Sequence, residues 1–386
     1  MTYRLRHLVN DAVQSSNDST YELSLPESGN LHSLIVRVRC TNGATASRNV
    51  GPLTIADNIR VVGNGEEKFF ELSPVELEKW IETTQGIGLD MEHDEAASAV
   101  QYVCFPILFG RKLYDREMYL PLSRIKNPKL QIPFSPAISA TVGFATGTVT
   151  FDVLGIWSPE NLRLPYLGTL ITKTIKVFTS VASGDEPTDV DVFDSVRAIG
   201  VYAYENNVAD GVDINRVRLV ANGGEFDIFQ GDWDNFTEFN RQNFGCDITH
   251  RFKLLAQDTD VLATRLSDPR EYSVSNGTIT DIAGDIFVIA GLITPTGDNL
   301  TLSIGDGDIT AGAETYVTSV TNRIYYVSVT GRSPSYFGLI PYMWPDEPQG
   351  YLKVNDYNKL ELILTQGGAD AAVRISVQTL KQVALI

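Results

Sequence analysis

"IRVVGNGEEKFFELSPVELEKWIETTQG", Ile59 to Gly86, has a second version far along the chain, "VRLVANGGEFDIFQGDWDNFTEFNRQNFG", Val217 to Gly245. Each opens on a short apolar strand that carries an arginine, Arg60 or Arg218. Each then passes through Asn-Gly, at Asn64-Gly65 and Asn222-Gly223, a dipeptide that between apolar runs signals a tight hairpin. From the turn Asn to the closing Gly there are 22 positions in one copy and 23 in the other. After the hairpin comes an amphipathic stretch with a tryptophan. In the first copy Ser73, Pro74 and Glu76 form a helix start with a capping box. This predicts a helix from Pro74 to about Thr84 that partly buries Val75, Leu77, Trp80 and Ile81. In the second copy Asp232 stands at the cap, and Trp233, Phe236 and Phe239 follow at helical spacing.

The match extends outward in the same order. Strands such as "LHSLIVRVRC" (31–40) and "VQYVCFPILFG" (100–110) surround the first copy, and "TLITKTIKVFTS" (169–180) and "VRAIGVYAYE" (196–205) precede the second. Residues 105–134 resemble 339–364, each with a strand, a polar turn, a strand, an Asn-containing turn and a Lys-Leu pair before the last strand. "GTVTFDVLGIW" then parallels "AAVRISVQTLKQVALI". Runs of strands around one helix, without βαβ alternation, place the chain in the antiparallel all-β class. The expected division is an N-terminal arm at 1–30, a first unit at 31–157, a Pro-punctuated linker at 158–168 and a second unit at 169–386. The second unit carries a β insertion at about 246–334, with strand signals such as "NLTLSIG" and "IYYVSVT". A structureless loop of that length would be improbable. In the arm, Tyr3 to Gln14 reads as a short helix with Leu5, Leu8, Val9 and Ala12 on one side.

The 386 residues are more than one core usually organises, and 43% are hydrophobic, which suits a packed protein. The formal charge of −17 argues against a surface that tracks nucleic acid phosphates. The chain has no apolar run of membrane-spanning length, and its N-terminus lacks the apolar core of a signal peptide. Cys40, Cys104 and Cys246 are far apart and odd in number, which reads as three buried free thiols.

No stretch carries a catalytic fingerprint. "GNGEEK" (63–68) lacks the third glycine of a dinucleotide loop and is a hairpin turn. "MEHDE" (91–95) reads as a solvated acidic loop rather than a metal site, and "GDGD" (305–308), near Asp298, lacks EF-hand spacing. His7, His32, His93 and His250 show no ligand spacing. Paired carboxylates for glycoside cleavage leave no sequence signature, because their pairing is spatial. No catalytic residue, cofactor site or metal site is therefore assigned, and no enzyme activity is expected.

A duplicated unit of about eight strands with a helix after its hairpin resembles the double jelly-roll major capsid proteins of tailless icosahedral viruses. That lineage includes adenovirus hexon and the membrane-containing bacterial and archaeal viruses. The paired "RVVGNGEEKFFELSPVELEKW" and "RLVANGGEFDIFQGDWDNF" carry the resemblance, with "FPILFGRKLYDREMYLPL" followed by "NPKLQIPF". The resemblance implies an all-β fold of two tandem jelly-roll sandwiches, each with a short helix, the second with a β insertion. It implies a structural protein that forms trimeric, pseudo-hexagonal capsomers in an icosahedral shell. Its implied partners are itself as a homotrimer, neighbouring capsomers, penton or minor capsid proteins and an internal lipid membrane, without direct nucleic acid binding. Its implied location is the virion, after synthesis in the host cytoplasm. Arg4, Leu5, Arg6, Leu8 and Val9 are the expected inner-face or membrane contact. The alternative reading is a carbohydrate-binding or carbohydrate-cleaving β-sandwich protein.

Overall fold

The architecture comes from a computed structural model. It describes residues 4–383 apart from 46–49, 161, 163, 191–193, 206–210, 246, 256–261, 264–265, 276–290, 297–298, 305–312, 318–323, 335, 342–346 and 354–355. Eight strands, several with alternating burial, build a first sandwich. One sheet runs Arg4–Val13, Thr150–Ser158, Asn30–Thr41 and Val100–Leu108 in spatial order. The other runs Ser19–Ser24, Lys129–Phe134, Ile59–Gly63 and Glu67–Leu72. The second set repeats this order strand for strand. Thr169–Thr179, Ala372–Lys381, Ser195–Tyr204 and Phe337–Pro341 form one sheet, and Gly184–Val190, Leu360–Gln366, Ile214–Ala221 and Phe226–Asp232 the other. In each set successive strands alternate between the two sheets, except that the fourth and fifth form a hairpin within one sheet, and Greek-key connections complete the jelly roll.

The Asn-Gly hairpins fall where the sequence puts them. Asn64 and Gly65 have φ of 52° and 100°, and Asn222 and Gly223 have φ of 53° and 74°. These left-handed residues reverse the chain in a three-residue loop at 64–66, between the paired Gly63 and Glu67, and a four-residue loop at 222–225, between the paired Ala221 and Phe226. Each Asn also ties its hairpin to the turn before the seventh strand. Asn64 N–H donates to Lys126 O at 2.8 Å and its side-chain oxygen accepts from Lys126 N–H at 2.8 Å. Asn222 N–H likewise donates to Lys359 O at 2.8 Å, and its side-chain oxygen accepts from Asn358 N–H at 2.8 Å.

Helix α1 spans Pro74–Gln85, with the capping box formed and Gly86 closing it at φ 66°. Helix α2 spans Trp233–Phe244, and its cap Asp232 makes no side-chain capping bond. Trp233 and Phe236 are buried, whereas Phe239 is exposed.

Three expectations are corrected. Residues 4–13 form a strand, not an amphipathic helix, and 19–24 form another, so the expected arm supplies one strand to each sheet of the first sandwich. Pairing with Thr150–Ser158 overrides the local helical pattern, and register shifts at His7/Val9 and Val9/Ala12 absorb the misfit. "MEHDE" is not a solvated loop. Asp90–Asp94 is a strand whose His93 is buried, and Glu92 and Asp94 both pair with Lys253. The insertion, expected as a small β subdomain projecting from one end, is not set apart at its base. Ile248–Leu255 pairs in parallel with Asp90–Asp94, and Ile324–Pro334 and Leu266–Ser275 follow it, so the first sandwich's sheet continues into the insertion. A separate four-stranded sheet holds Leu262–Ala263, Gly291–Thr296, Asn299–Ile304 and Ala313–Val317.

Candidate functional site

The second sheet of the first sandwich does not stop at its own edge. Glu67–Leu72 pairs in parallel with Thr169–Thr179, Phe70 against Thr172 and Glu71 against Lys173, so the two sandwiches share an eight-stranded sheet. α1 lies over this junction. Its Trp80 is buried, stands edge-on to Phe337 at 6.1 Å and donates from Nε1 to Ser376 Oγ at 2.8 Å. Trp80, Ile81, Ile171, Tyr202 and Phe337 belong to one apolar cluster with the first sandwich's core. The second sandwich keeps its own core around Val217, Leu219, Phe236 and Ile375.

The polar side of α1 is also buried. Glu76 accepts from Thr174 Oγ1 at 3.0 Å and faces Arg374 at 3.7 Å. Burial raises its carboxyl above the usual range, against the lowering pull of Ser73, Arg374 and Thr174. One turn on, Lys79 Nζ bridges Glu78 at 3.2 Å and Glu82 at 3.0 Å, and Glu82 Oε1 meets His250 Nε2 at 2.5 Å. Glu78, Glu82 and His250 hold their ligand atoms within 4.8 Å of one another. By residue type this donor set would suit zinc or manganese. The cation place between the carboxylates, however, is taken by the Lys79 ammonium. Chemically, the cluster is a buried ionic tie between α1 and the insertion. Sequence reasoning missed it because His250 lies 168 positions from Glu82. The available signal was Glu78 and Glu82 at i,i+4 around a lysine, on a helix with too few exposed positions to solvate all three.

Arg4, Leu5, Arg6, Leu8 and Val9 all lie on the strand Arg4–Val13. The fold separates them: Leu8 and Val9 pack against the core, while Leu5 and Arg6 are exposed. "GDGD" (305–308) and Asp298 lie outside the described residues, as does Cys246. Cys40 is buried and Cys104 half-buried, both as free thiols. Burial raises both thiols, and burial with the nearby Asp90 carries Cys104 to about 12.

Two eight-stranded jelly rolls joined side by side define the double jelly-roll fold, the fold of viral major capsid proteins. Three solved structures show it over the full chain. The STIV major capsid protein matches at TM-score 0.57 and 10% identity, covering 98% of this chain and 97% of that one. STIV is the Sulfolobus turreted icosahedral virus. The major capsid protein of bacteriophage PM2 matches at 0.51 and 8%, covering 99% and 98%. The capsid of PBCV-1 matches at 0.51 and 10%, covering 98% and 93%. No protein-family model and no curated protein matches the sequence.

Proposed function

We propose that the protein is the structural major capsid protein of an icosahedral virus and assembles as a homotrimer with a pseudo-hexagonal outline. The observation that carries this reading is the complete duplication: two full jelly rolls in one chain, joined through a shared sheet. Three such chains around a threefold axis present six similar lobes, which suits hexagonal tiling. On this reading the lobes are the two halves on either side of the 158–168 connector, and the 246–334 segment decorates the second. The shell location, the contacts with neighbouring capsomers and with penton or minor proteins, and a structural rather than enzymatic role come with the same reading. Of the expected contact residues, Leu5 and Arg6 are exposed on the N-terminal strand and are the ones assigned here to meet an inner face or a membrane; two residues bind a bilayer weakly unless a lattice multiplies them. Light scattering on the purified protein tests the assembly. A mass of three chains, with hexagonal outlines in electron micrographs, is expected; monomer alone at micromolar concentration overturns the reading.

A further inference from the structure

Asn-Gly occurs at 42–43, 64–65 and 222–223, and again at 276–277, which lies outside the described residues. Asn-Gly is the dipeptide most open to attack of the backbone on its own side-chain amide, because a following residue without Cβ leaves the attacking nitrogen unhindered. The three described sites differ in what holds the reacting atoms. Asn42 is buried. Its Nδ2 donates to Asp94 O at 2.5 Å and to Ala96 O at 2.7 Å, and Gly43 N–H donates to Gly143 O at 2.8 Å. A Cβ at Gly43 would stand 2.3 Å from Ser139 O, so the backbone there has no room to turn. At Asn64, Nδ2 donates to Glu67 Oε2 at 2.7 Å. At Asn222, neither Nδ2 nor the N–H of Gly223 makes a hydrogen bond among the described residues, while Oδ1 accepts from Asn358 N–H at 2.8 Å. Gly223 and Gly224 are exposed, have φ of 74° and 97°, and face open space.

We propose that Asn222 is a self-modification site, converting in the folded protein to an aspartyl or isoaspartyl residue through a succinimide formed with Gly223, while Asn64 and Asn42 are held as amides. The Gly223 nitrogen, on losing its proton, attacks Asn222 Cγ and forms the new C–N bond. Negative charge then develops on Oδ1, where Asn358 N–H already donates, as an oxyanion donor does. The Cγ–Nδ2 bond breaks, and Nδ2 takes up a proton and leaves as ammonia. Solvent water adds to either ring carbonyl and opens the ring. In sum, one amide and one water give one carboxyl group and one ammonia. Lys126 N–H donates to Asn64 Oδ1 in the same way, so the difference between the hairpins lies at the leaving group. A bond from Nδ2 to the Glu67 carboxylate strengthens the amide resonance, makes Cγ a poorer electrophile and fixes the rotamer. Loop length acts in the same direction, since 222–225 holds two consecutive glycines and 64–66 only one. The product alters the lobe that bears it. It adds a negative charge, and the isoaspartyl form lengthens the backbone by a carbon and pulls apart the bonds to Asn358 and Lys359. Of the two equivalent hairpin ties in the duplicated plan, one is permanent and the other ages. The inference does not depend on the capsomer reading.

The test incubates the full chain at pH 8 and follows amide loss at each position by peptide mapping with mass spectrometry. The same chain denatured in urea supplies the reference, in which the three sites should convert at similar rates. In the folded protein, position 222 should convert at least about tenfold faster than 64, the factor that one hydrogen bond to a charged group is worth, and 42 should stay intact. Glu67→Ala should raise conversion at 64 toward that at 222, with circular dichroism melting to show that the variant is folded. Conversion at 64 as fast as at 222 in the wild type overturns the inference. So does an intact Asn222 in folded protein after the denatured chain has converted. An unchanged rate at 64 in folded Glu67→Ala overturns it as well, because the contact to Nδ2 is then not what protects the amide.

Discussion

Asp115 is buried in the turn after the strand Val100–Leu108 and collects Arg111 Nε at 2.7 Å, Arg111 Nη2 at 2.9 Å and the N–H groups of Arg111 and Glu117 at 2.9 and 3.0 Å. Burial pushes its carboxyl up, but these donors outweigh burial and hold it at about 2. A carboxyl depressed in the folded state binds fewer protons there than in the unfolded chain. Its stabilisation is therefore complete above the unfolded value of 3.8 and is lost as pH falls through about 2. Asp115→Asn should cost about 2 kcal/mol at neutral pH, read by urea unfolding, and the difference from wild type should shrink toward pH 2. His32, which bonds Asp115 O at 2.6 Å and Ser158 Oγ at 2.9 Å, is lowered by burial and should be neutral. At Cys104 and Cys40 the raised thiols should resist alkylation at pH 8 until the protein is denatured, as peptide mapping by mass spectrometry would show. At this scale the sequence exposes what is local. Asn64 and Asn222 declare their turns because only a few residue types accept the left-handed conformation. The pairing of Glu82 with His250, 168 positions away, and the stacking of Arg37 over the Tyr102 ring at 4.4 Å are invisible, because each partner is placed by a strand distant in sequence.

α1 was legible to the residue at its start, since Ser73, Pro74 and Glu76 are chemically committed to a helix N-terminus. Its environment was not, and that environment governs its mutations. Trp80→Ala should cost about 3–5 kcal/mol, the range for emptying a buried aromatic site, and also strands Ser376 without its donor. Phe239→Ala, at the matching place in α2, should leave monomer stability nearly unchanged. Equal melting losses in the two variants would show that the helices are equally buried. The strand Arg4–Val13 misled because leucine and arginine at mixed spacing fit a helix as well as an irregular strand. Its pairing is fixed by Thr150–Ser158, which the local pattern does not contain. The insertion divides in a testable way. Leu255 and Ile324 face each other in register. Replacing residues 256–323 by Asn-Gly should therefore close the hairpin and preserve folding, checked by circular dichroism and size exclusion. Removing 246–334 takes the buried His250 and Val329 with it, leaves Glu82 its bond to Lys79 but not that to His250, uncovers the side of α1, and should yield insoluble protein.

For the whole molecule, the duplication was readable as an order of motifs, and the jelly-roll class followed from it. That the halves share a sheet was not readable, because a parallel contact of two residue pairs leaves no periodicity of its own. Sharing changes the expected thermodynamics. With Trp80 and Ile81 in one cluster with Tyr202 and Phe337, the halves should melt in a single calorimetric transition rather than two. Two resolved peaks would show that the junction contributes little to stability.

The placement of Ala372–Lys381 between Thr169–Thr179 and Ser195–Tyr204 also sets a clock on the ribosome. An interior strand of that sheet is the last of its strands to be made, and Trp80 waits 296 residues for Ser376. At typical rates of synthesis of roughly 5–20 residues per second, α1 stands uncovered for about 15–60 s, a buried ionic cluster and an aromatic anchor both open to solvent. During that interval the nascent chain carries its most adhesive surface bare, so its yield in a cell should depend on chaperone capacity and crowding of polysomes far more than the stability of the finished protein would suggest.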